Sequence, residues 1–305
     1  MRYAVSVGGL EDLAAQQTQV VFHGVNKSGS LVMTTLLHEA YRHHARANQF
    51  FSTYVSVPRQ LDLLTDIVEH SSGHAFFGAH YLYGAVDLTP TSRRMVTQFR
   101  NPLPRARSCY QWLSNKAQEQ GRDYPGFEQW LVATKGTAHS QVRQFGVGYA
   151  PGHEAVERSA NPEELFERSV QAIERDVSWF GIAEYLEESA FCLAALCGLS
   201  SIEAWTRDDR NVGRPLVDDW APGEADLVRE VYRWDFALYD WALETFRKRV
   251  AELDFGPDLE AYREACRGEY KDRLGSTGSP APPLETGGST RRSGGRLRSL
   301  LRRRS

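Results

Sequence analysis

The chain has 305 residues, 41% of them hydrophobic and 11% aromatic, which is enough to bury a full core without disulfide or metal staples. No run approaches the roughly 18 apolar residues of a membrane helix, and no long apolar stretch follows the early Arg2, so a cytoplasmic protein is the expectation. The net charge of −3 hides an asymmetry: seven arginines against one glutamate give residues 276–305 a charge of +6 and leave −9 on residues 1–275, an acidic body that argues against nucleic acid as its partner.

The first 17 residues have a short apolar start and then a helix-compatible segment. Residues 19–23 form an apolar, β-branched strand pattern, and a short glycine-containing loop leads to a helical apolar face carried by Leu31, Leu36, Leu37 and Ala40 to about Ala47. Residues 50–57 predict a strand closed by Pro58, and Leu61, Leu64, Ile67 and Val68 repeat at helical spacing. This β, α, β, α alternation predicts a parallel sheet with helices on both faces. Residues 93–100 read as a further strand, and Asn101 with two prolines behind it reads as a capped helix start. Between 121 and 136 the chain is loop-rich with one short aromatic helix, and 139–148 reads either as loop or as the start of a helix. A capped helix over 161–176, a buried strand over 177–185 and a helix over 187–199 ended by Gly198 follow. The last long helix spans 223–253, with a break expected near Arg233–Asp235.

The fold expected from this order is α/β: a P-loop-like three-layer α/β/α arrangement with a central parallel sheet and a helix-rich C-terminal half, in one domain over residues 1–274. Residues 275–305, rich in Gly, Ser, Pro and Arg, predict a disordered, solvated basic tail, with contact to an anionic surface as the alternative. The four cysteines (Cys109, Cys192, Cys197, Cys266) are scattered, with no CxxC pair, and are read as reduced, mostly buried thiols.

Two strand-to-helix junctions carry the chemistry. The first, with Gly24, Lys27, Ser28, Gly29 and Ser30, offers glycine-exposed amides, two hydroxyls and an ammonium where a helix dipole also favours negative charge. Gly24 and Gly29 have the glycine spacing of the nucleotide-hydrolase P-loop, but Lys27 precedes Gly29 and Ser30 stands where that motif requires lysine. In the second junction, RNPLPRARS, Arg100 supplies a planar bidentate phosphate ligand and Ser108 a hydroxyl eight residues on.

A loop lysine followed by Ser-Gly-Ser resembles the 5′-phosphosulfate loop of sulfotransferases, and Arg100 with Ser108 resembles their 3′-phosphate junction. With HSQVRQFGVG, FGIAEYLEESAFCLAAL and WDFALYDWALETF, five segments in the right order resemble the Golgi-type carbohydrate sulfotransferases, the 2-O-sulfotransferase branch above all. Asn101 in place of the commoner Asp, Asn26 before the lysine and Leu31-Val32 in place of a further hydroxyl depart from the family's pattern. The resemblance implies 3′-phosphoadenosine 5′-phosphosulfate (PAPS) as sulfate donor, no metal, and a carbohydrate or small-molecule hydroxyl as acceptor. It implies donor binding by Lys27, Ser28, Gly29, Ser30, Arg100 and Ser108, charge stabilisation at the leaving phosphate by Lys27, and a histidine base. Two histidines compete for that role, His80 in GAHYLYG and His74 in SGHAFFG. An ATP-dependent kinase-like enzyme and a catalytically silent binding protein of the same fold are the alternatives.

Overall fold

Residues 2–10, 19–25, 27–29, 33, 76–79, 93–134, 140–147, 161–197, 199–203 and 220–275 are described by the computed structural model. The expected strand at 50–57, the helix at 61–68, the body of the helix after the first loop and the tail beyond Gly275 lie outside these residues. The chain divides into two units, Met1–Cys266 and Arg267–Ser305. The sheet, the core and the site all belong to the first; of the second, only helical backbone up to Gly275 is described.

Two short strands open the chain, β1 (Arg2–Ala4) and β2 (Val7–Gly8). Four strands then build the parallel sheet: β3 (Gln19–His23), β4 (Phe76–Ala79), β5 (Arg93–Phe99) and β6 (Val177–Ile182), in the order β4-β3-β5-β6. A parallel sheet covered on both faces needs apolar residues at consecutive positions. In β5, Met95, Val96 and Phe99 meet that demand, and the polar Thr97 and Gln98 between them are buried as well. The register pairs His23 with Thr97 and Phe99 with Ile182, which brings the carboxyl ends of β3, β5 and β6 to one edge.

The helices start where their capping residues dictate. Helix α1 (Pro102–Glu119) begins behind Asn101, whose side-chain oxygen accepts the Leu103 N–H, with proline at the first helical position. A short helix, α2 (Phe127–Thr134), supplies the expected aromatic segment. Within 139–148, where the sequence leaves loop or helix start open, a helix forms, α3 (Gln141–Gly146), capped by the Ser140 hydroxyl. Asn161 likewise caps α4 (Pro162–Asp176). β6 ends at Ile182 rather than Tyr185, and a single 3-10 turn over Ala183–Tyr185 leads into α5 (Leu186–Leu196). That entry is tight: a Cβ on Gly181 would lie 2.7 Å from the Ser189 Cβ. Instead the Ser189 hydroxyl accepts the Ile182 N–H at 2.9 Å, tying strand to helix.

Strand β7 (Ser201–Glu203) pairs antiparallel with β1. The expected long helix is two, α6 (Glu224–Val231) and α7 (Arg233–Ala251), and the break falls at Tyr232, just ahead of its expected place. Beyond it, β8 (Asp254–Phe255) pairs antiparallel with β2, and α8 (Asp258–Gly275) follows, a further long helix past the one the sequence reading takes as the last. The short apolar start of the chain resolves as β1 and β2, while the helix-compatible stretch over 11–17 lies outside the described residues; β1 and β2 find their partners about 200 and 250 positions away, where the pairing rather than any local period determines the structure. The α/β class, the parallel sheet and the helix-rich C-terminal half are all present.

Two clusters hold these elements. The larger one packs Phe22, Phe99, Phe145, Phe180, Ile182, Phe191, Leu238, Phe246 and Tyr262 around the sheet. The smaller joins α1, α2 and α6 through Ala106, Cys109, Phe127, Trp130, Leu131, Val228 and Tyr232. All four cysteines are buried, and none forms a disulfide, as the sequence predicts. Among the described residues, no helix is long and apolar enough to cross a membrane.

Candidate functional site

The strand order decides where a ligand would lie. From β3 the chain moves outward to β4 and then returns to β5 on the other side of β3, so the described sheet has its switch point between β3 and β5. In open α/β sheets the crevice outside the carboxyl ends at such a point is the ligand site. The first loop leaves β3 there and Arg100 leaves β5 there.

The loop is tightly wound. Lys27 has φ +62° and Gly29 φ +84°, two left-handed residues within three positions, and Lys27 is the one non-glycine with positive φ among the described residues. A bulky residue in that region carries a conformational cost and is concentrated at functional sites. Ser28 is fully buried between them, with its hydroxyl donating to the Val25 carbonyl at 2.8 Å and its N–H to the same oxygen at 3.3 Å. Its side chain thus shapes the turn. The Gly29 carbonyl accepts the Met33 N–H at 3.5 Å, a bond of helical i to i+4 spacing.

The two junctions are joined directly. Arg100 Nη1 donates to the Lys27 carbonyl at 3.0 Å, across 73 positions of sequence. Behind it, the Arg100 N–H donates to Gln141 Oε1 at 3.1 Å while Gln141 Nε2 donates to the Arg100 carbonyl at 3.0 Å, so α3 grips the strand end from both sides. The same helix reaches the loop through Gln144, whose Nε2 lies 3.5 Å from the Gly24 carbonyl. Glu184 accepts the Asn101 N–H at 3.0 Å with one oxygen and the Tyr239 hydroxyl at 3.0 Å with the other. Burial pushes the Tyr239 phenol up, reinforced by the Glu184 carboxylate. It stays a hydrogen-bond donor at any ordinary pH.

A second network holds α3 itself. Asp235 on α7 forms a buried ion pair with Arg105 at 2.5 Å and also accepts the Ser140 hydroxyl at 2.6 Å, the Gln141 N–H at 2.9 Å and the Val142 N–H at 3.1 Å. On the far side of that network, Ser140, Arg143, Leu165, Trp234 and Asp235 help to line a cavity of about 120 Å³.

Positive charge converges on this edge. The Lys27 ammonium sits 5.5 Å from the centre of the Trp112 ring, with Lys116 5.1 Å from the same ring. Trp112 follows Ser108 by four positions on α1, which puts the two on one helix face. Cys109, next to Ser108, records the same field: burial pushes its thiol up, while Arg105, Lys27 and Arg100 all pull it the other way.

Of the residues singled out from the sequence, Lys27, Ser28, Gly29, Arg100 and Ser108 are described, and Lys27, Gly29 and Arg100 share the sheet edge with Ser108 on the adjoining helix. Ser30, His74 and His80 lie outside the described residues. His23 is fully buried with its ring 4.5 Å from that of Phe145, a packing position. Sequence reasoning missed the burial of Gln98, Arg105 and Asp235. The signal for Gln98 was present: a lone amide inside an apolar strand, two positions before Arg100. Among the described residues, no cluster of three or more His, Cys, Asp or Glu side chains gathers to hold a metal.

Fold and site together define an open α/β protein with a cationic loop at its switch point. No protein-family model and no curated protein sequence matches the chain. Among solved structures it is similar to a sulfotransferase from Alicyclobacillus acidocaldarius, at 14% identity over 74% of this chain and 95% of that one, with a TM-score of 0.41. It is also similar to mouse sulfotransferase SULT7A1 complexed with PAP, at 12% identity over 78% of this chain and 87% of that one, with a TM-score of 0.36. A third is retinol dehydratase in complex with androsterone and the inactive cofactor PAP, at 12% identity over 88% and 84% of the two chains, with a TM-score of 0.32.

Proposed function

We propose that this chain is a sulfotransferase, moving a sulfuryl group from PAPS to a hydroxyl of a carbohydrate or small-molecule acceptor, with residues 1–274 as the catalytic domain and 275–305 as a basic tail. The observation that carries this reading is the 3.0 Å bond from the Arg100 guanidinium to the Lys27 carbonyl, which couples a lysine loop to an arginine–serine junction at one sheet edge. The donor is a polyanion with phosphate at both ends of a ribose, and a site for it needs two cationic points held at a fixed separation. Lys27 and Arg100 supply them. The residues fit the group: the cations converge, a helix hydroxyl stands beside them, and a buried amide on β5 faces the loop.

In this reading Arg100 and Ser108 hold the 3′-phosphate, and Gly29 lets the loop backbone approach the 5′ end. A guanidinium carries five N–H donors, so bracing the loop and binding phosphate are compatible roles. Lys27 neutralises the charge that grows on the bridging phosphate oxygen as its bond to sulfur breaks. His80, with His74 as the competing choice, takes the proton of the acceptor hydroxyl as the new oxygen–sulfur bond forms. Ser28 keeps the loop wound, and Ser30 adds a hydroxyl to the phosphate. The chemistry asks for no metal. The reading takes the enzyme to be cytoplasmic, its acidic body disfavouring nucleic acid as a partner.

Transfer of labelled sulfate over a panel of hydroxyl acceptors tests this. Lys27→Ala should cost about 10²–10³ in kcat, and His80→Ala about 10²–10⁴, with melting temperatures close to wild type. Unchanged sulfation in both variants would overturn the mechanism, and a large loss in His74→Ala alone would move the base to that residue.

A further inference from the structure

Gln98 lies on β5, opposite Gly181 of β6 in the register and two positions before Arg100. It is fully buried, and neither its Nε2 nor its Oε1 has a hydrogen-bond partner among the described residues. Buried amides are almost always bonded, because leaving them unpaired forfeits the hydration they had in the unfolded chain. An apolar side chain at this place would join Met95, Val96 and Phe99 as a buried apolar position of β5. The amide is retained at one particular spot: a Cβ built on Gly29 would lie 3.7 Å from Gln98 Nε2, 3.8 Å from its Oε1 and 4.0 Å from the Ala183 Cβ. It therefore looks into the underside of the loop, at the glycine next to Ser28 and two positions from Lys27.

We infer that Gln98 is a ligand-binding residue of this loop, donating an Nε2 hydrogen to an oxygen of the anionic 5′-phosphosulfate group bound there. The inference rests on the sulfotransferase reading and adds to it a neutral donor from the sheet, opposite the lysine. An amide suits the position. It donates to an anion without adding a third positive charge beside Lys27 and Arg100, and it pairs with the ligand instead of with the protein. Its orphaned state without ligand is then the cost of a preorganised donor, and an apolar isostere relieves that cost.

Binding of adenosine 3′,5′-bisphosphate and of adenosine 3′-phosphate, which lacks the 5′ group, separates the possibilities in wild type, Gln98→Met and Gln98→Glu. Gln98→Met should weaken the bisphosphate by about tenfold to a hundredfold. Adenosine 3′-phosphate should bind it as well as it binds wild type, and the melting temperature of the ligand-free variant should hold or rise by about 2–4 °C. Gln98→Glu, of the same shape but with a carboxylate facing the anion, should lose the bisphosphate further while keeping adenosine 3′-phosphate. Equal loss of both ligands would make Gln98 a purely structural residue, and undiminished bisphosphate affinity in Gln98→Met would remove it from the site; either overturns the inference while the sulfotransferase reading stands. Wild-type protein that binds neither nucleotide would bring down that reading, and this inference with it.

Discussion

Replacing Asp235 with alanine is expected to destabilise the protein by about 3–5 kcal/mol, the size of effect seen when one partner of a buried ion pair is removed. Arg105 is fully buried and Asp235 only 2% exposed, so water cannot compensate the arginine left behind. The loss extends past the pair. Asp235 is also the acceptor for the Ser140 hydroxyl and for two backbone N–H groups at the start of α3, each of which would become a buried donor with its partner gone. Since α3 grips the Arg100 backbone through Gln141, the variant should loosen the site as well as the fold. Urea denaturation measures the change, and the double variant Arg105→Met/Asp235→Leu should recover part of it by removing both charges together. A loss below about 1 kcal/mol, the value of an exposed pair, would contradict the buried network.

Arg100→Ala should reduce affinity for adenosine 3′,5′-bisphosphate by about a hundredfold, since charge-assisted bonds to phosphate contribute about 1.5–3 kcal/mol each. Two effects combine there. The guanidinium is the proposed 3′-phosphate ligand, and its bond to the Lys27 carbonyl also holds the loop in its wound form. Arg100→Lys should recover little, because an ammonium is a point charge without the planar fork that bonds loop and phosphate at once. The stability change should be small by comparison, the Arg100 side chain being only part-buried. Isothermal titration of the three proteins gives the ratio directly, and equal affinities would take Arg100 out of the donor site.

These two residues also mark what the sequence reveals and what it hides. Local grammar was legible. Asn101 and Asn161 cap the helices they precede, the prolines stand in first turns, and the strand expected over 93–100 is the buried β5. The interruption between α6 and α7 was legible to within a residue or two. Long-range polar pairing was not. Arg105 and Asp235 are 130 positions apart and Asn101 and Glu184 are 83 apart, and no local period announces such partners. The pairings of β1 and β2 were hidden for the same reason, being two or three residues long and matched to distant strands. Within the loop, the glycine spacing gave away the turn, but residue type could not show that the Ser28 hydroxyl points back to Val25 rather than outward. Gln98 was readable only as a polar residue in an apolar strand. Its place beneath Gly29 follows from the curl of the loop, which the left-handed conformations of Lys27 and Gly29 impose.

The account turns on the class of nucleotide that the switch-point loop accepts, and a thermal-shift titration of wild-type protein with adenosine 3′,5′-bisphosphate and, separately, with ATP tests it without knowledge of the acceptor. A ligand at a hundred times its Kd adds about 2.7 kcal/mol of stability, so the bisphosphate should raise Tm by about 5–10 °C while ATP at the same concentration leaves it close to its starting value. A larger shift with ATP than with the bisphosphate would contradict the account and place the chain among ATP-dependent enzymes.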